Sequence, residues 1–365
     1  MARLAARFPK RFDFDELVSV DFVSPRPRPP LLPTHTSEMI RANNNFELLY
    51  YFPATLMDQP TSDLVIMING FDEQPPGLFL YYSKRQSISK LLEHVRPPYA
   101  KRRQLCGRVA SVLLPIPFHH WRRPLQGDYT LLDSAHMIDR HKIRFFLGYH
   151  QLLCDLDELV STLDRRSEPV YARRMGSTLN LHLLGYSLGG LAALCGFLRD
   201  RMLGRNRFTS CTLLASGISL QEASFALTDL SAAQISDIKE YYSRNEWKTD
   251  FLSIMPESER EEIIETLFER AVLGRRDGQA YAAIDTQWIE SADEIQYITC
   301  TKDRIMDSAY LYREIPEGAF RIHHTAVEVD HVLHADRNWM SGEGEKVIGA
   351  ACDVMLRRSR ARGRG

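Results

Sequence analysis

Ser187 stands at the centre of Gly185-Tyr186-Ser187-Leu188-Gly189, with Gly190 directly behind it. A hydroxyl framed this way suits nucleophilic chemistry if the chain turns sharply at the serine. The flanking positions must then be small, because the incoming and outgoing backbones cross close together, and glycine supplies that room. The neighbouring residues fit such a turn. Leu179, Leu181, Leu183 and Leu184 form a short apolar run of the kind a buried strand carries. Leu191, Leu194, Cys195 and Leu198 recur at helical spacing, and the run closes on Arg199, Asp200 and Arg201. A strand, turn and helix in this order lift Ser187 Oγ above the sheet edge and aim the positive end of the helix at a reacting group. The competing chemistry is a metal site drawn from His323, His324, Asp330, His331 and His334. Adjacent histidines on a strand point to opposite faces, and no HExxH or comparable ligand spacing is present, so no metal is expected.

The stretch around Ser187 resembles the nucleophile elbow of the α/β-hydrolase superfamily. Asn69-Gly70-Phe71-Asp72-Glu73, straight after the apolar run Leu64–Ile68, resembles that family's oxyanion loop. The resemblance implies an oxyanion hole made by the N–H groups of Phe71 and Leu188. Asn69 stands where the family usually carries histidine. Thr301-Lys302-Asp303-Arg304-Ile305-Met306, after the late strand Ile295–Cys300, resembles the acid loop, which makes Asp303 the triad acid and Asp307 its second choice. The catalytic histidine is then expected just after a last strand at Thr325–Val329, at His331, with His334 as the alternative. The chain order Ser187, Asp303, His331 is the order of this superfamily. Asn69, Tyr186, His119 and Trp121 are the expected substrate-contacting residues. The implied activity is hydrolysis of a carboxylic ester or thioester through an acyl-enzyme, lipase-like or thioesterase-like, without a cofactor. The same residues would serve an acyltransferase or a carrier-bound thioesterase, and a non-catalytic binder could keep the scaffold. The expected partner is a small-molecule acyl compound, free or linked to a carrier or coenzyme A.

The elements that must position these residues alternate along the chain. Strands are expected at Leu17–Val23, Phe46–Phe52, Leu64–Ile68, Ala110–Ile116 and Phe208–Ser216, and helices at Tyr81–His94, Ala135–Leu163 and Glu345–Arg357. This alternation predicts an α/β fold with a mostly parallel central sheet flanked by helices. From Ser219 to about Glu290 no strand pattern appears, and Leu252, Ile254, Ile263, Ile264, Leu267 and Phe268 repeat at helical spacing. A helical cap inserted late in the chain is expected there, over the site. The expected organisation is a core over 1–218 and 291–357, a cap over 219–290, a basic arm over 1–15, a proline-rich connector over 24–33 and a disordered basic tail over 358–365.

With 365 residues and a formal net charge of −1, the chain has room for such a core and no global attraction to nucleic acid. Its six cysteines form no CxxC pair and sit mainly in apolar contexts, which fits buried thiols in a reducing compartment. Met1 to Phe12 carries Arg3, Arg7, Lys10 and Arg11 with no apolar segment behind them, so no secretory signal is expected. No stretch approaches the roughly 20 apolar residues of a membrane span, and a cytoplasmic location is expected.

Overall fold

Apolar runs without alternation demand strands covered on both faces, and such strands form the middle of this molecule. A computed structural model describes residues 16–25, 37–52, 60–68, 70, 109–117, 122, 143–166, 168–216, 230–244, 249–250, 294–303 and 322–328. In chain order the elements are β1 (Glu16–Val23), α1 (Ser37–Asn44), β2 (Asn45–Phe52), β3 (Thr61–Ile68), β4 (Val109–Leu114), α2 (Ile143–Arg165) and α3 (Pro169–Arg174). There follow β5 (Met175–Tyr186), α4 (Leu188–Met202), β6 (Phe208–Leu214), α5 (Ala232–Ser243), β7 (Ile295–Cys300) and β8 (Ile322–Val327). The strands make one eight-stranded sheet in the order β1-β2-β4-β3-β5-β6-β7-β8. β2 is antiparallel to β1 and to β4, and every other pairing is parallel. The mostly parallel sheet expected from the sequence is therefore present.

β4, β6 and β7 are buried along their whole length, and β3 everywhere except Ser62. One face of the sheet packs against α2 and α4, with Leu152, Leu156, Leu159, Leu191, Leu194 and Phe197 in the shared core. α4 is apolar almost all round because it packs against both the sheet and α2. α5 lies inside the 219–290 segment and begins with a capping box between Ser231 and Gln234. Its Ile238 and Tyr241 join the same core.

Several elements differ from the expected ones. β5 begins at Met175, because its first half is partly exposed and polar and carries no apolar signal. β8 runs over Ile322–Val327 rather than Thr325–Val329. It lies at the edge of the sheet, where His323 and His324 are tolerated in a strand that apolar pattern alone would not find. α1 was not expected between the first two strands. The helices expected at Tyr81–His94 and Glu345–Arg357, the basic arm, the tail and most of the connector and cap lie outside the described residues. No helix among the described residues is long and apolar enough to cross a membrane. Cys195, Cys211 and Cys300 are buried, and burial pushes the Cys195 thiol up to about 12 and the Cys211 thiol further.

Two charged clusters tie the layers together. Arg122, on the chain after β4, is fully buried and donates to Asp155 Oδ2 at 2.7 Å, Asn43 O at 2.9 Å and Pro115 O at 3.0 Å. Its guanidinium lies 4.1 Å from the centroid of the Phe46 ring. Ser24 Oγ donates to the other oxygen of Asp155, and Gln151 bridges Ser24 and Asn44 at 3.1 Å each. Burial pushes the Asp155 carboxyl up and the Arg122 guanidinium down, each against the attraction of its partner.

The second cluster joins α2 to α4 and to the chain entering β6. Asp157 accepts from Arg199 at 2.5 Å, Arg207 at 2.5 Å and Arg205 at 3.2 Å. Burial pushes the Asp157 carboxyl up, but Arg199 and Arg207 outweigh it, so the group titrates below its ordinary value. A depressed carboxyl contributes stability above its unfolded value and loses it as the pH falls through the folded one. Asp157→Asn is therefore expected to cost about 1 kcal/mol at pH 7 and to flatten the fall in stability below about pH 4. Urea unfolding of both proteins between pH 7 and pH 3 checks this, and an unchanged acid limb would remove Asp157 from the account.

Candidate active site

A parallel sheet collects the loops that follow its strands along one edge, where open α/β sheets bind ligands. Strand register sets what meets there. Ile68 lies opposite Gly185, Tyr186 opposite Leu214, and Leu214 opposite Ile298, so β3, β5, β6 and β7 end nearly level. Gly70, Ser187, Ser216 and Asp303 follow these ends.

Ser187 is the junction between β5 and α4, at φ 54° and ψ −128°. A non-glycine residue held there costs on the order of 1–3 kcal/mol and persists only where the surroundings fix it. They do so here. Ser187 N–H donates to Leu214 O at 2.9 Å, and Ser187 O accepts from Gly190 N–H at 2.9 Å. The Ser187 side chain makes no capping hydrogen bond to α4. A Cβ on Gly185 would overlap the backbone of Gly189 and Gly190, which gives the first glycine of the motif its steric reason. Gly190, one residue past the motif, lies against the Ser216 side chain.

Gly70 is buried, and a Cβ there would stand 3.0 Å from Ser187 Cβ and 3.0 Å from Tyr186 Cδ1. The start of the loop after β3 is thus packed onto the elbow. Tyr186 is 7% exposed, with its ring against Gly70. Leu188 opens α4, so its N–H belongs to the first turn of that helix. Asp303 is half-buried, and its N–H donates to Cys300 O at 3.0 Å, which closes a turn directly after β7. Lys302 and Glu328 form an exposed ion pair at 3.1 Å between that turn and the end of β8. The sheet thus carries Ser187, Gly70 and Asp303 to the same edge. Asn69, Phe71, His119, Trp121, Asp307, His331 and His334 lie outside the described residues. β8 stops four positions short of His331. Among the described residues no group of three or more His, Cys, Asp and Glu side chains could hold a metal ion.

A second acid, imidazole and hydroxyl chain was not expected from the sequence. His182 on β5 contacts Asp63 Oδ1 at 3.1 Å and Ser210 Oγ at 2.8 Å. Asn180 donates to the same Asp63 oxygen at 3.1 Å. Ser210 is fully buried, so no substrate reaches its hydroxyl, and the chain serves to satisfy polar groups across β3, β5 and β6. Part of the signal is in the sequence, since His182 interrupts the run Leu181–Leu184, whereas Asp63 sits at the polar start of β3.

No protein-family model matches the chain, and no curated protein matches it in sequence. Solved structures do match. The structure of carboxyl esterase 2 from the mycorrhizal fungus Tuber melanosporum aligns with 94% of this chain and 86% of its own, at 10% identity and a TM-score of 0.50. The chain has the α/β-hydrolase fold. Within an α/β-hydrolase fold, β5 is the strand that carries the elbow and α4 the helix behind it. An esterase from Rhizomucor miehei aligns over 96% of this chain and 85% of its own, at 14% identity and a TM-score of 0.49. An S-formylglutathione hydrolase from Agrobacterium tumefaciens aligns over 92% and 95%, at 14% identity and 0.46.

Proposed function

We propose that this chain is a serine hydrolase that cleaves a carboxylic ester or thioester through an acyl-enzyme. The observation that carries the reading is the strained backbone of Ser187 between β5 and α4, with Gly70 packed against it. A strained serine, fixed on a strand end beside a glycine of the preceding loop, is poised for attack rather than for packing. The fold shared with a carboxyl esterase supports the same reaction class.

In the proposed cycle Ser187 Oγ attacks the acyl carbon while His331 takes the hydroxyl proton. Asp303 orients the imidazole and stabilises its charged form. The carbonyl π electrons move onto oxygen, and that oxyanion rests on two N–H groups. One is Leu188 N–H in the first turn of α4. The other is Phe71 N–H, whose nitrogen is bonded to the carbonyl carbon of Gly70. The intermediate collapses, and the bond to the leaving alcohol or thiol breaks as that group takes the proton from His331. Water then gives a proton to His331 and attacks the acyl carbon, and Ser187 recovers its proton as the acid departs. Asn69, Tyr186, His119 and Trp121 are proposed to contact the acyl substrate. The part of 219–290 beyond α5 is proposed as the cap that excludes water. The buried thiols of Cys195 and Cys211 fit a reducing compartment, and the cytoplasm is the proposed location. The cycle uses no cofactor.

A fluorophosphonate probe tests the reading. A covalent adduct on the peptide containing Ser187, absent from Ser187→Ala, supports it. A chain that stays unlabelled and leaves p-nitrophenyl acetate and butyrate untouched would end it. Product analysis with an added alcohol or thiol separates hydrolysis from acyl transfer.

A further inference from the structure

The end of β6 is built against the elbow more elaborately than a connecting strand needs. Ala215 holds φ 45° without being glycine, and its N–H donates to Ile298 O at 2.9 Å. Ser216, next in the chain, is 1% exposed. Tyr297 Oη on β7 donates to the Ser216 carbonyl at 2.5 Å. The Ser216 side chain occupies the space that a Cβ on Gly190 would need, and the next atom in line, Gly185 O, would be at an ordinary 3.4 Å. The first turn of α4 is thus met twice from this end of β6. Leu214 O receives the Ser187 N–H, and the Ser216 side chain abuts Gly190.

We propose that Tyr297 is a positioning residue for the elbow, acting through a joint between Ser216 and Gly190. The catalytic part of this proposal rests on the reading of Ser187 as the nucleophile. The mechanical part does not. A left-handed alanine relaxes unless its neighbour is held, and the phenol hydroxyl holds that neighbour by its carbonyl. Without the hydroxyl, Ser216 can withdraw from Gly190, and the first turn of α4 gains slack. Ser187 and the Leu188 N–H sit on that turn. Catalysis is sensitive to misplacement of about 1 Å, so slack there reaches the chemistry without removing a reacting group.

Tyr297→Phe is expected to lower kcat for a p-nitrophenyl ester about tenfold, equivalent to about 1.4 kcal/mol of barrier, with KM within about twofold. A residue that only supports the fold would lower the melting temperature and leave kcat of the folded fraction unchanged. That result would overturn the catalytic part. Hydrogen exchange on the full chain reads the joint directly. In Tyr297→Phe the amides of Ser187 and Gly190 are expected to exchange about tenfold faster, while the second half of α4 stays as it was. Equal exchange in both proteins would overturn the proposal whether or not the chain hydrolyses esters. The converse test uses the steric fit. Gly190→Ala is expected to disturb the elbow, seen as lost phosphonate labelling or lost folded yield. Adding Ser216→Gly is expected to restore either one to within about threefold, because it opens the occupied space. Failure of that second change to rescue would remove Ser216 from the joint. A wild-type chain that never labels at Ser187 would end the proposed function and leave the exchange and rescue results to decide the joint.

Discussion

Ser187→Ala is expected to lower ester turnover by a factor on the order of 10⁵–10⁶ while leaving the fold intact. The two halves of this expectation have separate causes. The loss follows because, among the described residues, no second hydroxyl is offered at the sheet edge in the same strained geometry. Ser187 and Ala215 are the non-glycine residues with positive φ that end neighbouring strands there, and alanine has no nucleophile. The fold survives because alanine keeps the Cβ, so the backbone strain is unchanged, and because the hydroxyl makes no cap to α4. The stability change is expected within about 0.5 kcal/mol. His331→Ala is expected to be as damaging, and Asp303→Asn to cost about 10⁴ by releasing the imidazole tautomer. Initial rates with a p-nitrophenyl ester, beside circular dichroism of each variant, check all three. Activity retained in His331→Ala and lost in His334→Ala would move the base to His334.

The largest effect on stability is expected at Arg122. Arg122 and Asp155 are both fully buried, and the guanidinium serves the carboxylate, two carbonyls and the Phe46 ring. Replacing it with methionine keeps much of the volume but strands a carboxylate in the interior. Removing one member of such a pair costs about 3–5 kcal/mol, a large share of a typical domain's stability. The pH dependence has a definite sign. Burial already raises the Asp155 carboxyl, and without Arg122 the hydrogen bond from Ser24 is left to oppose it without the attraction of a cation. A folded-state value above the unfolded one means stability is lost as the pH rises between the two. The deficit of Arg122→Met is therefore expected to be largest near neutrality and to shrink in acid, as the carboxyl takes up a proton. Denaturant titrations at pH 5 and pH 8 measure this. A deficit independent of pH would mean that Asp155 is not the source of the cost.

Much of this architecture was readable from the chain alone, and the reasons are local. Leu64–Ile68 is apolar on both faces, and Phe208–Leu214 and Ile295–Cys300 are short runs rich in apolar and β-branched residues, so they declare themselves without help from their neighbours. The elbow is a local motif too, since Gly185 answers contacts with Gly189 and Gly190, within five residues. Asp303 lies on the turn directly after β7, its N–H donating to Cys300 O. What stayed hidden depends on partners remote in sequence. Tyr297 meets Ser216 across 81 positions, and His182 meets Asp63 across 119. Arg122 has the sequence context of a loop cation, and its acceptors Asn43 and Asp155 lie 79 and 33 positions away. β8 hid because an edge strand need not be apolar, and α1 because a short helix between strands has too few turns to show a period.

The Arg122 cluster also bears on how the protein is made. Ser24 precedes Asp155 by 131 residues, and Arg122 precedes it by 33. Translation therefore completes β1, β2 and β4 before the carboxylate that neutralises their shared cation has been synthesised. Until α2 emerges, the antiparallel margin of the sheet has a guanidinium to bury and no anion to bury it with. Docking of the N-terminal strands is therefore expected to wait for translation of α2, and fragments cut before that point are expected to lack a docked margin.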